Sequence, residues 1–400
     1  MGAPRTIDDG ERRARLGRRH ALAPDAAAPD VTTLTEAIAV LHATDAAAVF
    51  LAARARVDGL VPADVERALY DDRTLVRMLG MRRTVFVVPV DLVPVVHAAC
   101  TRAVAVKERR RLVGQIEGAG VADDGAAWLS AVEDETVAAL SARGEATSKE
   151  LRADVEALNV QIPLAVGKAY EGTLGMATAV LQALAAAGRV VRGRPLGSWM
   201  GNQYRWAPVE AWLGPGHAGV DHLGTAEAQA ELARRWLAAF GPATVADLRW
   251  WAGWTAREAN AALAAVGAVP VGLTGVAGGA GLVLPGDEGP VPAAEPWVAL
   301  LPALDPTLMG WKERAWYVGE HGPALYDRSG NPGPTIWADG RIVGGWAQRR
   351  DGEVAFRLLE DVGADVKAAV AAEAERVAAW LGDRRVTPRF RTPLERELSS

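Results

Sequence analysis

Apolar positions spaced three and four apart predict helices over Ala126 to Ala142, Ser148 to Ala157 and Thr173 to Ala187, and again over Ala226 to Phe240, Val245 to Trp251 and Ala256 to Val266. After each set the period drops to two. Arg189 to Arg194 with Gln203 to Ala207, and Val269 to Leu273 with Gly281 to Leu284, read as hairpin strands. The two sets follow one plan: ALAAAGRVVRG from Ala183 to Gly193 returns as ALAAVGAVPVG from Ala262 to Gly272, and GEATSKELR from Gly144 to Arg152 returns as GPATVADLR from Gly241 to Arg249. In both, Gly144 or Gly241 ends a helix, Thr147 or Thr244 caps a short one, and Gly188 or Gly267 closes the next. Helix, short helix, helix and hairpin is the order of a winged helix-turn-helix, a unit whose usual work is holding nucleic acid.

A looser version precedes these. Leu34 to Ala43, Asp45 to Arg56 and Pro62 to Tyr70 read as helices, Leu75 to Gly80 and Thr84 to Val88 as strands joined by a tight turn holding Arg82 and Arg83, and Val90 to Leu112 as a long helix before a Gly and Asp linker. From Pro296 the segments WVALLPALDP, RAWYVG, PTIWADGRIVGGWA and EVAFRLLE are strand-like, which suggests a small barrel or curled sheet. An amphipathic helix, Ala364 to Leu381, follows, and RVTPRFRTP either joins the sheet or hangs as a tail. The expected fold is α+β: three tandem winged helix-turn-helix units and a β-rich, barrel-like C-terminal domain, divided 1–123, 124–223, 224–295 and 296–400.

Composition narrows the function classes. Half of the 400 residues are hydrophobic, enough for sizeable cores, and the lone Cys100 excludes an intramolecular disulfide framework. The N-terminus has no apolar run and no later run is long enough to span a bilayer, so a soluble, cytoplasmic, monomeric protein is expected. The formal charge of −5 means that any contact with double-stranded DNA comes from local patches. Arg12 to Arg19 holds five arginines, Arg102 to Arg111 reads RAVAVKERRR, and the candidate DNA contacts on hairpins and turns are Arg82, Arg83, Arg189, Arg192, Arg194 and Arg205. Each patch also reads as a solvated face. Trp199 falls at a hairpin tip, placed either to stack on a base or to fold back on its own hairpin; Trp250, Trp251 and Trp254 read as packing between domains.

Other chemistry is missing. The histidines form no HExxH pair, and His217, Asp221 and His222 lack further ligands, so no metal is expected. GVAGGAG has no Lys with Ser or Thr to cradle a phosphate, no Gly-x-Ser-x-Gly elbow occurs, and Cys100 lies in an apolar helix; no cofactor is expected either.

Leu-Leu-Pro-x-x-Asp-Pro from Leu300 to Pro306, the Asp-Gly hairpin WADGRIVGGW, and LHATD from Leu41 to Asp45 carry a resemblance over nearly the whole chain. The chain resembles the winged-helix proteins related to the alkylpurine DNA glycosylases of the AlkZ and YcaQ type, which unhook bulky and crosslinked lesions. LHATD matches the place where those enzymes carry a catalytic Gln-x-Gln or Gln-x-Asp. The resemblance implies that His42 stands for the first Gln and Thr44 for the second residue, and that Asp305 is the family's Asp-Pro aspartate. His42 could accept a proton from water, with Thr44 and Asp45 beside it; an alkylated purine is already cationic and leaves easily. The same residues also read as a buried histidine, a capping threonine and a helix-favouring aspartate, and Asp305 as a turn residue. A non-catalytic DNA binder or regulator, and a protein-interaction scaffold, are the alternatives.

Overall fold

The computed structural model describes residues 4–164, 171–214, 223–276 and 279–400; the His217, Asp221 and His222 group and part of the GVAGGAG turn lie outside them. The chain is α+β. One arrangement appears three times. In the middle copy, helix Gly125–Arg143 leads to strand Ala146–Thr147, helices Ser148–Asp154 and Met176–Ala186, and hairpin strands Val190–Pro195 and Tyr204–Pro208. The short strand returns to the last one, with Ala146 opposite Trp206 and Thr147 opposite Arg205. The turn into the next helix is fixed by a reciprocal cap: the Glu150 N–H donates to Thr147 Oγ1, and the Thr147 N–H donates to Glu150 Oε2 at 2.7 Å.

The third copy runs through helices Thr225–Phe240, Val245–Ala252 and Ala256–Ala265 to strands Val269–Leu273 and Ala280–Val283, with Ala243 bridging Leu282 and strand Thr6–Ile7 added in parallel. The first copy has helices Val31–Ala37, Ala46–Arg54 and Pro62–Glu66, strand Leu41–His42, and the hairpin Leu75–Leu79 with Val85–Pro89. Here the sequence expectation of a helix through Ala43 fails. Ala39 takes a φ of 65° and turns the chain out of the helix, and the backbone of Leu41 and His42 pairs with Val87 and Phe86 instead. A two-stranded sheet, Gln161–Leu164 with Gly172–Gly175, also lies where the sequence pattern of the second copy predicts loop and helix.

The C-terminal sheet is an open meander, Val298–Leu301, Thr335–Ala338, Arg341–Gln348 and Val354–Leu358 in consecutive antiparallel order, not a closed barrel. Helix Gly363–Leu381 packs against both the first and the last strand, the place where closure would have joined them. RAWYVG is a single helical turn, Ala315–Val318, and RVTPRFRTP joins no strand.

Two main cores organise the molecule. One runs through the first copy, the third copy and the C-terminal sheet, while the middle copy has its own, built around Leu129, Leu151, Val180 and Leu184. The middle hairpin belongs to both: Val190 and Trp206 enter one core, their neighbours Val191 and Ala207 the other. Period-two alternation puts the two cores on opposite faces of one hairpin.

The N-terminal basic run lies on helix Asp9–Arg19 and faces protein. Arg15 reaches Asp287 and the Gly289 carbonyl, Arg18 the carbonyls of Pro292 and Ala293, Arg19 Asp287 and the Gly241 carbonyl, and Arg13 the Trp316 carbonyl. Arg12 is buried over the Trp316 ring at 4.1 Å. The run ties the third copy to the C-terminal part.

Candidate nucleic-acid interface

Strand Leu41–His42 decides what LHATD can reach. Leu41 and Arg77 both stand opposite Val87, while His42 and Met78 both stand opposite Phe86. Directly opposed residues share a sheet face, so His42 and Arg77 look in opposite directions. His42 is 4% exposed, its ring meets Phe86 edge-on at 5.0 Å, and its Nδ1 has no hydrogen-bond partner among the described residues. Burial, and then the nearby Arg82 guanidinium, push it down to about 3, so the imidazole is neutral at neutral pH.

The face that His42 shares leads to a cationic ladder. Arg82, in the turn Met81–Arg83 with a φ of 52°, lies 4.1 Å from the Trp250 ring centre. Arg314 lies 5.4 Å from the same ring and 4.7 Å from that of Tyr326. Among the described residues Arg82 Nε and Arg314 Nη1 are buried without acceptors.

On the other face opens a cleft of about 950 Å³, walled by Ala43 to Asp45, the middle copy's short helix, following helix and hairpin, and the segment carrying Thr387 and Arg389. Among the described residues five cations line it, Arg77, Lys149, Arg152, Arg192 and Arg389, against one carboxylate, Asp45. His42 does not line it. Thr44 Oγ1 accepts from the Val85 N–H at 3.4 Å, and Asp45 caps helix Ala46–Arg54, with Oδ1 accepting from the Ala47 N–H at 3.1 Å and Oδ2 from the Arg389 N–H at 3.0 Å. Each carboxylate oxygen keeps a lone pair for a further donor. Arg77 is 4% exposed; its Nη1 donates to the Tyr204 hydroxyl at 2.8 Å, and its Nε has no acceptor among the described residues. Arg192 lies over the Trp206 ring at 5.0 Å; burial and then Arg77 lower it to about 10, which leaves it charged.

The remaining expected contacts are dispersed. Arg83 pairs with Glu108, Arg189 with Asp134, Arg194 with Asp71 and Glu66, and Arg205 lies near Glu145 and Glu150. Trp199 is not exposed at a hairpin tip: it is 4% exposed, stacked on Phe50 at 4.4 Å and tilted against Trp380 at 5.9 Å, so it packs the middle hairpin onto the first copy and the C-terminal helix. Trp251 and Trp254 are buried packing residues, as the sequence suggested. Asp305 is buried with Arg56 and does not line the cleft. Cys100 is buried, which pushes its thiol up to about 12. Sequence reasoning misses Arg77, Lys149, Arg152 and Arg389. Arg77 does leave a signal, as the one charge inside the apolar strand LVRML.

Residues 35–380 match the family model described as DNA glycosylase AlkZ-like. The chain belongs to that family. The AlkZ-like fold is also seen in a solved structure, the Streptomyces sahachiroi DNA glycosylase AlkZ, with a TM-score of 0.70 over 95% of this chain and 98% of that one at 19% sequence identity. No curated protein gives a significant sequence match. No helix among the described residues is long and apolar enough to cross a membrane, and no group of three His, Cys, Asp or Glu side chains among them could hold a metal.

Proposed function

We propose that this AlkZ-like protein binds damaged duplex DNA across the cleft beside LHATD and excises alkylated purines by hydrolysis. In this reading the three repeated arrangements are winged helix-turn-helices within 1–123, 124–223 and 224–295, and 296–400 braces them. The observation that carries it is the charge pattern of the cleft: among the described residues five cations line it, which suits a polyanion, and its single carboxylate, Asp45, directly follows Thr44, the second of the two positions that the resemblance gives to the family's catalytic pair.

Geometry favours Asp45 and Thr44 over His42 as the groups that handle water. The bond from C1′ to the cationic base breaks with its electron pair going to the base, which leaves neutral. Positive charge on the sugar is stabilised by the Asp45 carboxylate, water adds to C1′, and its proton passes to Asp45. His42, neutral and facing the opposite side, supports the strand. The backbone N–H groups already held by Asp45 favour a second reading, a binder that recognises damage without cutting.

Abasic-site formation on alkylated duplex DNA tests both. Excision by the wild type, lost in Asp45→Asn (which keeps the cap) and kept within a few-fold in His42→Ala, is the expected result. Binding without excision by the wild type selects the second reading.

A further inference from the structure

We propose that Arg77 and Arg192 form a phosphate subsite in the cleft wall, which grips one phosphodiester of a nucleic-acid strand. The two arginines come from different copies, Arg77 from strand Leu75–Leu79 and Arg192 from strand Val190–Pro195, and these strands touch where the copies dock. Both side chains line the same cleft, and among the described residues neither makes an ion pair. Arg77 is buried and Arg192 half-buried, so the two guanidiniums repel each other and each has given up solvation with no counter-ion among the described residues. A bound anion resolves both costs at once.

The donors fit a tetrahedral oxyanion. Arg77 Nε is buried with no acceptor among the described residues. Tyr204 accepts from Arg77 through its hydroxyl oxygen at 2.8 Å and keeps its own proton to donate. Arg192 brings a second planar fork, the geometry that phosphate accepts best. Asp45, the carboxylate of this cleft, is held by the backbone of Ala47 and Arg389 and does not pair with either arginine. A cation is excluded by the charge. The cleft, at about 950 Å³, holds far more than a bare phosphate, so the group it takes belongs to something larger. The assignment of that phosphate to DNA rests on the proposed function; the anion site itself does not.

The test uses the full chain with Arg77→Gln, Arg192→Gln and both together. Inorganic phosphate is titrated against chloride at constant ionic strength while the melting midpoint is followed, and duplex affinity is measured across salt. The wild-type midpoint is expected to rise with phosphate and the double variant's to stay flat, while the slope of log affinity on log salt becomes shallower by about 0.9, the value of one neutralised phosphate. In chloride alone the variants should melt at or above the wild type, since the repulsion between the two guanidiniums has been removed. A phosphate response that disappears in the variants with an unchanged DNA slope keeps the anion site and assigns it to a small phosphate compound. A phosphate response with no DNA binding by the wild type defeats the proposed function and leaves the subsite standing. No phosphate response together with an unchanged slope, or variants that melt well below the wild type in chloride, overturns the subsite.

Discussion

Arg56 and Asp305 meet as a two-pronged pair with no solvent on either side chain, Nη1 donating to Oδ2 at 2.9 Å and Nη2 to Oδ1 at 2.6 Å. Arg56 also donates to the His20 and Ala52 carbonyls and to Thr307 Oγ1, and Asp305 caps the next turn through the Thr307 N–H. Asp305→Ala leaves the guanidinium buried and unpaired, and should cost about 3–5 kcal/mol in urea denaturation. Replacing both partners with Met and Leu should cost less than Asp305→Ala alone. If the double variant is the worse of the two, the cost lies in shape and not in charge.

Stability should fall with acid through two histidines. His20 is fully buried: its Nε2–H donates to the Ala239 carbonyl, and its Nδ1 accepts from the Thr307 hydroxyl at 2.7 Å. Burial, then Arg56, lower it to about 3, as burial lowers His42. Both folded values lie below the unfolded one near 6.5, so the unfolded chain takes up protons first. The stabilisation is complete above about pH 6.5 and is lost as the pH falls toward 3, by roughly 1.4 kcal/mol per pH unit for each histidine. Denaturation at pH 7, 6 and 5 should show this slope, and His42→Gln should remove one proton's share. Identical slopes in variant and wild type would mean that His42 is not held neutral by the fold.

DNA affinity should separate arginines that the sequence alone groups together. Arg189 shares its charge with Asp134 at the surface, so Arg189→Gln should change duplex affinity by less than about two-fold. Lys149→Gln with Arg152→Gln removes two cleft cations and should flatten the salt dependence by up to about 0.9 for each phosphate that they neutralise. The reverse ranking would place the DNA on the outer face of the middle hairpin.

Trp199→Ala should destabilise the protein by about 3–5 kcal/mol, the usual cost of emptying a large aromatic site, because the ring no longer stacks on Phe50. A change confined to DNA affinity, with the denaturation midpoint unmoved, would restore Trp199 as a DNA-binding residue.

The third copy is readable almost to the residue, because its helices are strictly periodic and its turns carry Gly and Thr where caps require them. Leu41 and His42 defeat a reading from sequence for a physical reason. Two residues hold no period of their own, and their strand exists only because Val85–Pro89 offers a free edge far along the chain. Closure of the C-terminal sheet depends in the same way on where helix Gly363–Leu381 comes to rest. The charged residues are the least legible. An arginine looks the same in sequence whether it meets a phosphate, as proposed for Arg192, or a carboxylate 55 positions earlier, as Arg189 meets Asp134; such partners are set by packing alone.

The middle hairpin, whose two faces enter two different cores, behaves as a party wall. Neither side of such a wall can bend without disturbing a packed interior, so the spacing between Arg77 and Arg192, which lie on either side of the junction it makes, is set when the chain folds. A phosphate entering the subsite proposed there would meet two arginines already in place, and its recognition would follow the logic of a gauge, with little ordering left to be done at the moment of binding.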